Sequence, residues 1–290
     1  METRTTDVAG LALVDKPAGM TSHDVVAVVR RATGAKRAGH AGTLDPFATG
    51  LLVVLLGRAT RLIPHIQGEP KVYDATIRFG EETDTDDATG IAVRRADVPD
   101  DSAIARGVEH LTGDIAQMPP AYSAKSVDGV RAYAAARRGA PLELAPVRVV
   151  VHEWQLGALS GNDLNARITC GGGTYVRALA RDLGRATGSA AHLVALRRVR
   201  SGAFSVEDAH SLDEYGDHAA ALRPPLDAVS HLPVQQLTET ELARVAHGNP
   251  VAVRTGGRTV SLVDETGALV AIAERHDDTL QPKTVIRDAG

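Results

Sequence analysis

The sequence predicts an α+β protein of two domains, a larger one mixing strands and helices and a small β-rich one at the C-terminal end. Three observations predict it. The chain has 290 residues, about twice the common domain length. Strand-like runs alternate with helix-like ones, with no internal repeat or low-complexity tract. Prolines cluster in LRPPLDAVSHLP, residues 222 to 233, directly after an acidic stretch, which marks a boundary. The expected domains are residues 1–230 and 231–290.

The elements follow in order. GLALVDKP (10 to 17) reads as a buried strand running into a Pro-Gly turn. SHDVVAVVRRATG (22 to 34) reads as a helix with Ser22 as N-cap, an apolar face of Val25, Val26, Val28 and Val29, and Gly34 at its C-terminal stop. LLVVLL (51 to 56) is a buried strand. KVYDATIRF (71 to 79) alternates, with Tyr73, Ala75, Ile77 and Phe79 on one face and Asp74, Thr76 and Arg78 on the other. TDTDDATG (83 to 90) reads as a loop, and the acids of 81 to 90 other than Asp87 as a solvated turn. VRVVVHEW (147 to 154) and LNARITC (164 to 170) are strands, and GGGTYVRALARDLGRATG (171 to 188) passes from glycines into a helix near Thr174. Beyond the boundary, TETELARVAHGN is a short capped helix, and RTVSLVD and ALVAIAER are strands split by ETG.

One cysteine, Cys170, excludes an internal disulfide and suits a reducing compartment. The N-terminal stretch lacks the apolar core of a signal peptide, and LLVVLL is far too short to span a bilayer. The expectation is a cytoplasmic protein. Its formal net charge of −4 hides an uneven distribution. From Arg30 to Arg61 there are six cations (Arg30, Arg31, Lys36, Arg37, Arg58, Arg61) and one carboxylate, Asp45. Residues 177 to 200 hold six arginines and one acid, Asp182, whereas 81 to 101 and 207 to 241 carry eight acids each. Two basic segments that met in space would offer a nucleic acid a positive face. Taken singly, each also fits long arginine stems coating an amphipathic helix.

Asp45 stands in GHAGTLDPFATG (39 to 50), with Gly39, Gly42 and Gly50 allowing close backbone approach. Pro46 biases it toward an extended backbone. Such a carboxylate suits a nucleophile, a general base, a metal ligand or a plain turn residue. A hard metal wants several oxygen ligands, and no second acid is near in sequence. Arg177, near a helix start, can pair with a distant carboxylate and fix its orientation. Tyr73 and Tyr175 are candidate stacking rings, or core residues. With nine aromatic residues in the chain, one base in one pocket is feasible and an extended stacking surface is not.

These residues carry a resemblance. RAGHAGTLDPFATGLLVVLLGRATRL resembles the catalytic motif of the TruB family of tRNA pseudouridine synthases. In the family's order, DKPAGMTSHDVV resembles its KPxGxTS block and KVYDATIRFGEETDTDDATG its tyrosine-and-acid block. GGGTYVRALARDLG resembles its GTYIR block and ALRRVRSGAF its leucine-arginine strand. Together they span roughly residues 11 to 204. The resemblance implies a central, mostly antiparallel mixed sheet flanked by helices, plus a PUA-like RNA-binding domain. It implies isomerisation of the T-loop uridine at position 55 of tRNA: base flipping, glycosidic cleavage and reattachment through C5.

It further implies a catalytic set of Asp45, Tyr73 and Arg177. Asp45 attacks the nucleotide or forms an ion pair during cleavage, Arg177 pairs with it, and Tyr73 stacks on the flipped base. The substrate-binding set is His40, Asp87, Tyr175, Leu196 and Lys16, the last forming with Pro17 a structural pair behind the active loop. No metal and no cofactor is expected, since a uracil anion needs no external electron sink. The partner expected is the T arm of tRNA, with no membrane, and the expected state is a monomer. The arginine-rich segments are the implied phosphate contacts. In PPAYSAKSVDGVRAY the family's lysine falls where Ser126 stands, so Lys125 receives no role. The rivals are a non-catalytic RNA-binding protein, against which Asp45, Arg177 and Tyr73 speak together, and an RNA glycosylase, which would release free base.

Overall fold

The structure is a computed structural model describing residues 8–122, 126–127, 130–131, 138, 140, 142, 144–217 and 220–286. Lys125 lies outside the described residues. The chain divides into two compact units, one made of Met1–Pro46, Leu51–Gln67 and Val206–Gly290, the other of Phe47–Gly50 and Gly68–Ser205. Among the described residues no helix is long and apolar enough to cross a membrane.

In the second unit the alternation of KVYDATIRF builds the middle of the sheet. Lys71–Phe79 lies between Ala191–Ser201 and Asp163–Cys170, and Val147–Ser160 and Gly113–Gln117 follow outward, every pair antiparallel. Tyr73, Ala75, Ile77 and Phe79 are buried, as the period of two requires. On the other face, Arg78 pairs with Asp163 and Arg167 with Asp74 across neighbouring strands. Helix Val176–Ala186 packs on Ala191–Ser201. Gly184 permits that approach, since a Cβ there would press into the backbone of Ala190 and Ala191. Thr49 and Gly50 add the parallel element, pairing with Arg197 and Arg198. Gly50 has φ +97°, and a Cβ would collide with the Arg198 carbonyl. The sheet is therefore mixed and largely antiparallel.

In the first unit, helix Ser22–Thr33 buries Val25 and Val29 against Ala12, Val14, Leu52, Val54 and Leu56 of two neighbouring strands. Gly34 ends it in the left-handed conformation, φ +68°. Near the C-terminal end, strands Val234–Gln236, Thr259–Val263, Leu269–His276, Thr279–Val285 and Val251–Ala252 make a separate five-stranded sheet in that order. Helix Glu239–Ala246 beside it has Thr238 as N-cap, with Glu241 completing the capping box.

Candidate active site

The loop carrying Asp45 is clamped on both sides of that residue. Ser22 was the expected N-cap of its helix, but Thr21 takes that role in a capping box with Asp24. The released Ser22 hydroxyl is buried and turns to Leu44, donating to its carbonyl at 3.0 Å and accepting from its N–H at 2.9 Å. On the other side, the Pro46 carbonyl accepts from the Gly19 N–H at 2.8 Å and from Lys16 Nζ at 3.2 Å. Lys16 is fully buried and also donates to the carbonyls of Met20 at 2.7 Å and Pro17 at 2.8 Å. Its three N–H bonds are thereby spent. Lys16 thus ties the loop from behind. Burial lowers its ammonium to about 8, against the pull of the Asp45 and Asp24 charges. His40, half-buried on strand Ala38–His40, meets the His23 ring edge to face at 5.5 Å.

Replacing Ser22 with alanine tests the clamp. The buried Leu44 N–H loses its acceptor, at a cost of about 1–3 kcal/mol. An Asp45 so loosened should slow whatever reaction it serves by up to about 100-fold, measured as a single-turnover rate, with substrate affinity unchanged.

In the second unit Arg177, Arg181 and Arg185 recur at every fourth position of helix Val176–Ala186, hence on one stripe. They meet the acidic loop rung by rung. Arg177 Nη1 donates to the Thr85 carbonyl at 2.8 Å and lies 3.6 Å from Asp87 Oδ2. Arg181 Nη1 donates to Asp86 at 2.9 Å, and Arg185 Nε to Glu82 at 3.0 Å. The carbonyls of Tyr122 and Met118 accept from Arg177 Nη2 at 2.9 Å and Arg181 Nη2 at 2.8 Å. Asp87 is fixed by the Thr85 hydroxyl at 2.8 Å and the Thr89 N–H at 2.9 Å.

This ladder corrects two expectations. The acids of 81 to 90 other than Asp87 are not all solvated: Glu82 and Asp86 are buried as counter-charges, as is Asp87. Nor can the whole second arginine segment face a phosphate: Arg177, Arg181 and Arg198 are 4%, 6% and 0% exposed, which leaves the exposed Arg185 and Arg200 and the half-buried Arg197. Arg30, Arg31, Lys36 and Arg37 of the first segment are exposed.

Asp86 adopts φ +61°, a backbone rarely taken by a non-glycine residue. Burial pushes its carboxyl up to about 6 despite the opposing charges of Arg181 and Arg177. A folded value above the free 3.8 means that the folded state holds the extra proton between about pH 4 and 6. Its contribution to stability is present at low pH and falls as pH rises through that window, by up to about 3 kcal/mol. Asp86→Asn should cancel that slope, so the wild-type-minus-variant stability in urea declines from pH 4 to 6. A constant difference would refute the assignment.

Tyr73 is buried, with Arg198 opposite it on the neighbouring strand. Leu196 is opposite Ala75 and borders a groove of about 680 Å³ whose walls include Phe47, Thr49, Asp74 and Arg167. Tyr175 occupies the N-cap of the arginine helix, which starts at Val176, two residues past Thr174. The predicted residues thus fall into two groups: Lys16, His40 and Asp45 in the first unit, and Tyr73, Asp87, Tyr175, Arg177 and Leu196 in the second. Sequence reasoning missed Ser22 as a loop tie, the Asp86–Arg181 rung and Gln117. The four-residue arginine spacing beside a run of acids was a readable signal for the rung.

Residues 30–176 match the TruB family pseudouridylate synthase (N terminal domain), and residues 177–230 match the tRNA pseudouridylate synthase B C-terminal domain. A tRNA pseudouridine synthase B of Thermobifida fusca is 46% identical over 289 residues, covering 95% of this chain and 98% of that protein. One from Corynebacterium aurimucosum is 43% identical over 286 residues, 96% of each. Among solved structures, an archaeal box H/ACA sRNP Nop10-Cbf5 complex contains a chain that matches with a TM-score of 0.71. The identity is 26%, over 96% of this chain and 86% of that one. An H/ACA RNP bound to a substrate RNA containing 2'-deoxyuridine gives a TM-score of 0.70 at 25% identity, covering 96% and 85%.

Proposed function

This chain belongs to the TruB family of pseudouridylate synthases, and from that membership we propose that it isomerises the T-loop uridine of tRNA, position 55, to pseudouridine. The observation that carries the reading is the setting of Asp45: its two neighbours are tied by Ser22, Gly19 and Lys16. A reacting carboxylate needs that fixity and a plain turn residue does not.

The target base lies within a folded loop, so it must be extruded before Asp45 can reach the ribose or the ring. Extrusion costs a few kcal/mol. Stacking on Tyr73, worth about 1–3 kcal/mol per base, and contacts with phosphates offset it. Arg30, Arg31, Lys36 and Arg37 are the exposed cations for those phosphates, which makes binding weaken with salt. Asp45 acts at the nucleotide as the N1–C1′ bond breaks and uracil leaves with the bonding pair. The base turns, C5 bonds to C1′, the C5 proton departs and N1 takes one up. Tyr73, against the ring, is placed to assist the C5 proton's departure. Arg177 is the arginine that the motif pairs with Asp45 and orients its carboxylate. His40 fills the space vacated by the base, and Asp87, Tyr175 and Leu196 shape the pocket. The C-terminal sheet acts as a PUA-like grip on tRNA, and the enzyme works as a cytoplasmic monomer.

Mapping pseudouridine in unmodified tRNA transcripts tests the position. A single site at uridine 55 is expected, and it should vanish when that uridine is replaced by cytidine. Modification elsewhere, with 55 untouched, overturns the proposal.

A further inference from the structure

Helix Val176–Ala186 starts without the usual device. Its N-cap is Tyr175, whose side chain makes no capping bond, and its first turn contains no acid. Helix starts leave N–H groups unsatisfied, and Ser, Thr, Asp or Asn normally serves them. Here the tie comes from a distant strand. Gln117, at the end of edge strand Gly113–Gln117, is completely buried. Its Oε1 accepts from the Tyr175 N–H at 2.8 Å, and its Nε2 donates to the Tyr175 carbonyl at 3.1 Å. The side-chain amide therefore holds both polar groups of one residue, as a neighbouring strand would. That same carbonyl also accepts the first helical bond, from the Leu179 N–H at 3.1 Å. Arg177 is two residues further on.

We propose that Gln117 is a positioning residue that sets the start of this helix and thereby the place of the Arg177 guanidinium. The chain just after it completes the hold, since the carbonyls of Met118 and Tyr122 accept from Arg181 and Arg177. Segment 117–122 thus grips the helix at its first backbone group and at two guanidinium heads. The acidic loop holds the same two heads through Asp86 and the Thr85 carbonyl. Of these holds, the Gln117 amide alone fixes the backbone of the residue where the helix begins. Methionine at 117 keeps the volume and loses both bonds. Glutamate keeps both only when protonated, because a carboxylate cannot donate to the Tyr175 carbonyl. The proposal rests on the reading of Arg177 as a member of the catalytic set.

The test compares full-length wild type, Gln117→Met, Gln117→Glu, Arg177→Lys and the Met-Lys double variant on a tRNA transcript. Gln117→Met should lower the single-turnover rate by about 10–100-fold, with the tRNA Kd within about twofold. Its effect should nearly vanish in the Arg177→Lys background, because the two act as one unit. Gln117→Glu should recover relative to wild type as pH falls. Additive losses, a loss confined to Kd, or a wild-type rate in Gln117→Met overturn the proposal. Hydrogen exchange across residues 171–181 gives a readout independent of activity. Gln117→Met, or Gln117→Glu at high pH should the first not fold, should speed exchange at the helix start. Unchanged exchange there overturns the positioning role. An inactive wild type would instead strike the catalytic reading.

Discussion

Asp45→Asn should bind tRNA as wild type does and form no measurable pseudouridine. The substitution keeps the shape of the side chain and removes its negative charge and its ability to attack. Pro17, Met20, Leu44 and Pro46 meet their partners through backbone groups, so the clamp around the loop survives. Removing one member of a catalytic unit costs at least about 10⁴-fold in rate, below the detection of ordinary assays. The measurements are a single-turnover time course and a titration of labelled tRNA. Residual turnover within about tenfold of wild type would remove Asp45 from the chemistry, whatever the motif implies.

Arg177→Lys should be the next most damaging change. Arg177 is 4% exposed, and its planar head reaches the Thr85 and Tyr122 carbonyls at once while lying 3.6 Å from Asp87. A lysine ammonium carries the charge but cannot span that fork. The expected loss is about 10²–10³-fold in single-turnover rate, the scale set by removing one oriented donor from a reacting centre. The tRNA Kd should stay within a few-fold, since a buried side chain has little surface to offer a phosphate. A Kd raised tenfold with the rate preserved would make Arg177 a binding residue and contradict the account.

How much of this was legible in the sequence follows from the range of the forces involved. Local patterns were readable. The alternation of residues 71–79 gave a strand with Tyr73 facing inward, and the valines and Gly34 gave a helix ending in the left-handed conformation. The motif order brought out Asp45, Tyr73 and Arg177. Bonds between residues far apart in sequence were not readable. Ser22 bonds Leu44 across 22 positions, Gln117 bonds Tyr175 across 58, and Arg181 bonds Asp86 across 95. Ser22 looked like an N-cap because the neighbouring Thr21 offers the same chemistry, and backbone geometry decides between them.

The charge reading failed for a related reason. A tally by segment sees six arginines and eight acids in separate stretches and assigns each to solvent or ligand. The fold sets Arg177, Arg181 and Arg185 of the one stretch against Asp87, Asp86 and Glu82 of the other, so these charges pair inside the second unit. Burying such pairs is not clearly stabilising in itself, but removing one partner costs about 3–5 kcal/mol. The arginines of that helix are therefore held by buried carboxylates, and under the proposed function the exposed Arg30, Arg31, Lys36 and Arg37 are cations offered to the tRNA backbone.

The most direct test of the central claim is release of tritium from T-arm RNA labelled at uridine C5, incubated with the wild-type protein and a chelator. Isomerisation at position 55 replaces the C5–H bond by C5–C1′, so the account predicts one tritium released per RNA and no free uracil. Tight binding of the RNA without tritium release would contradict it, and so would release of free base.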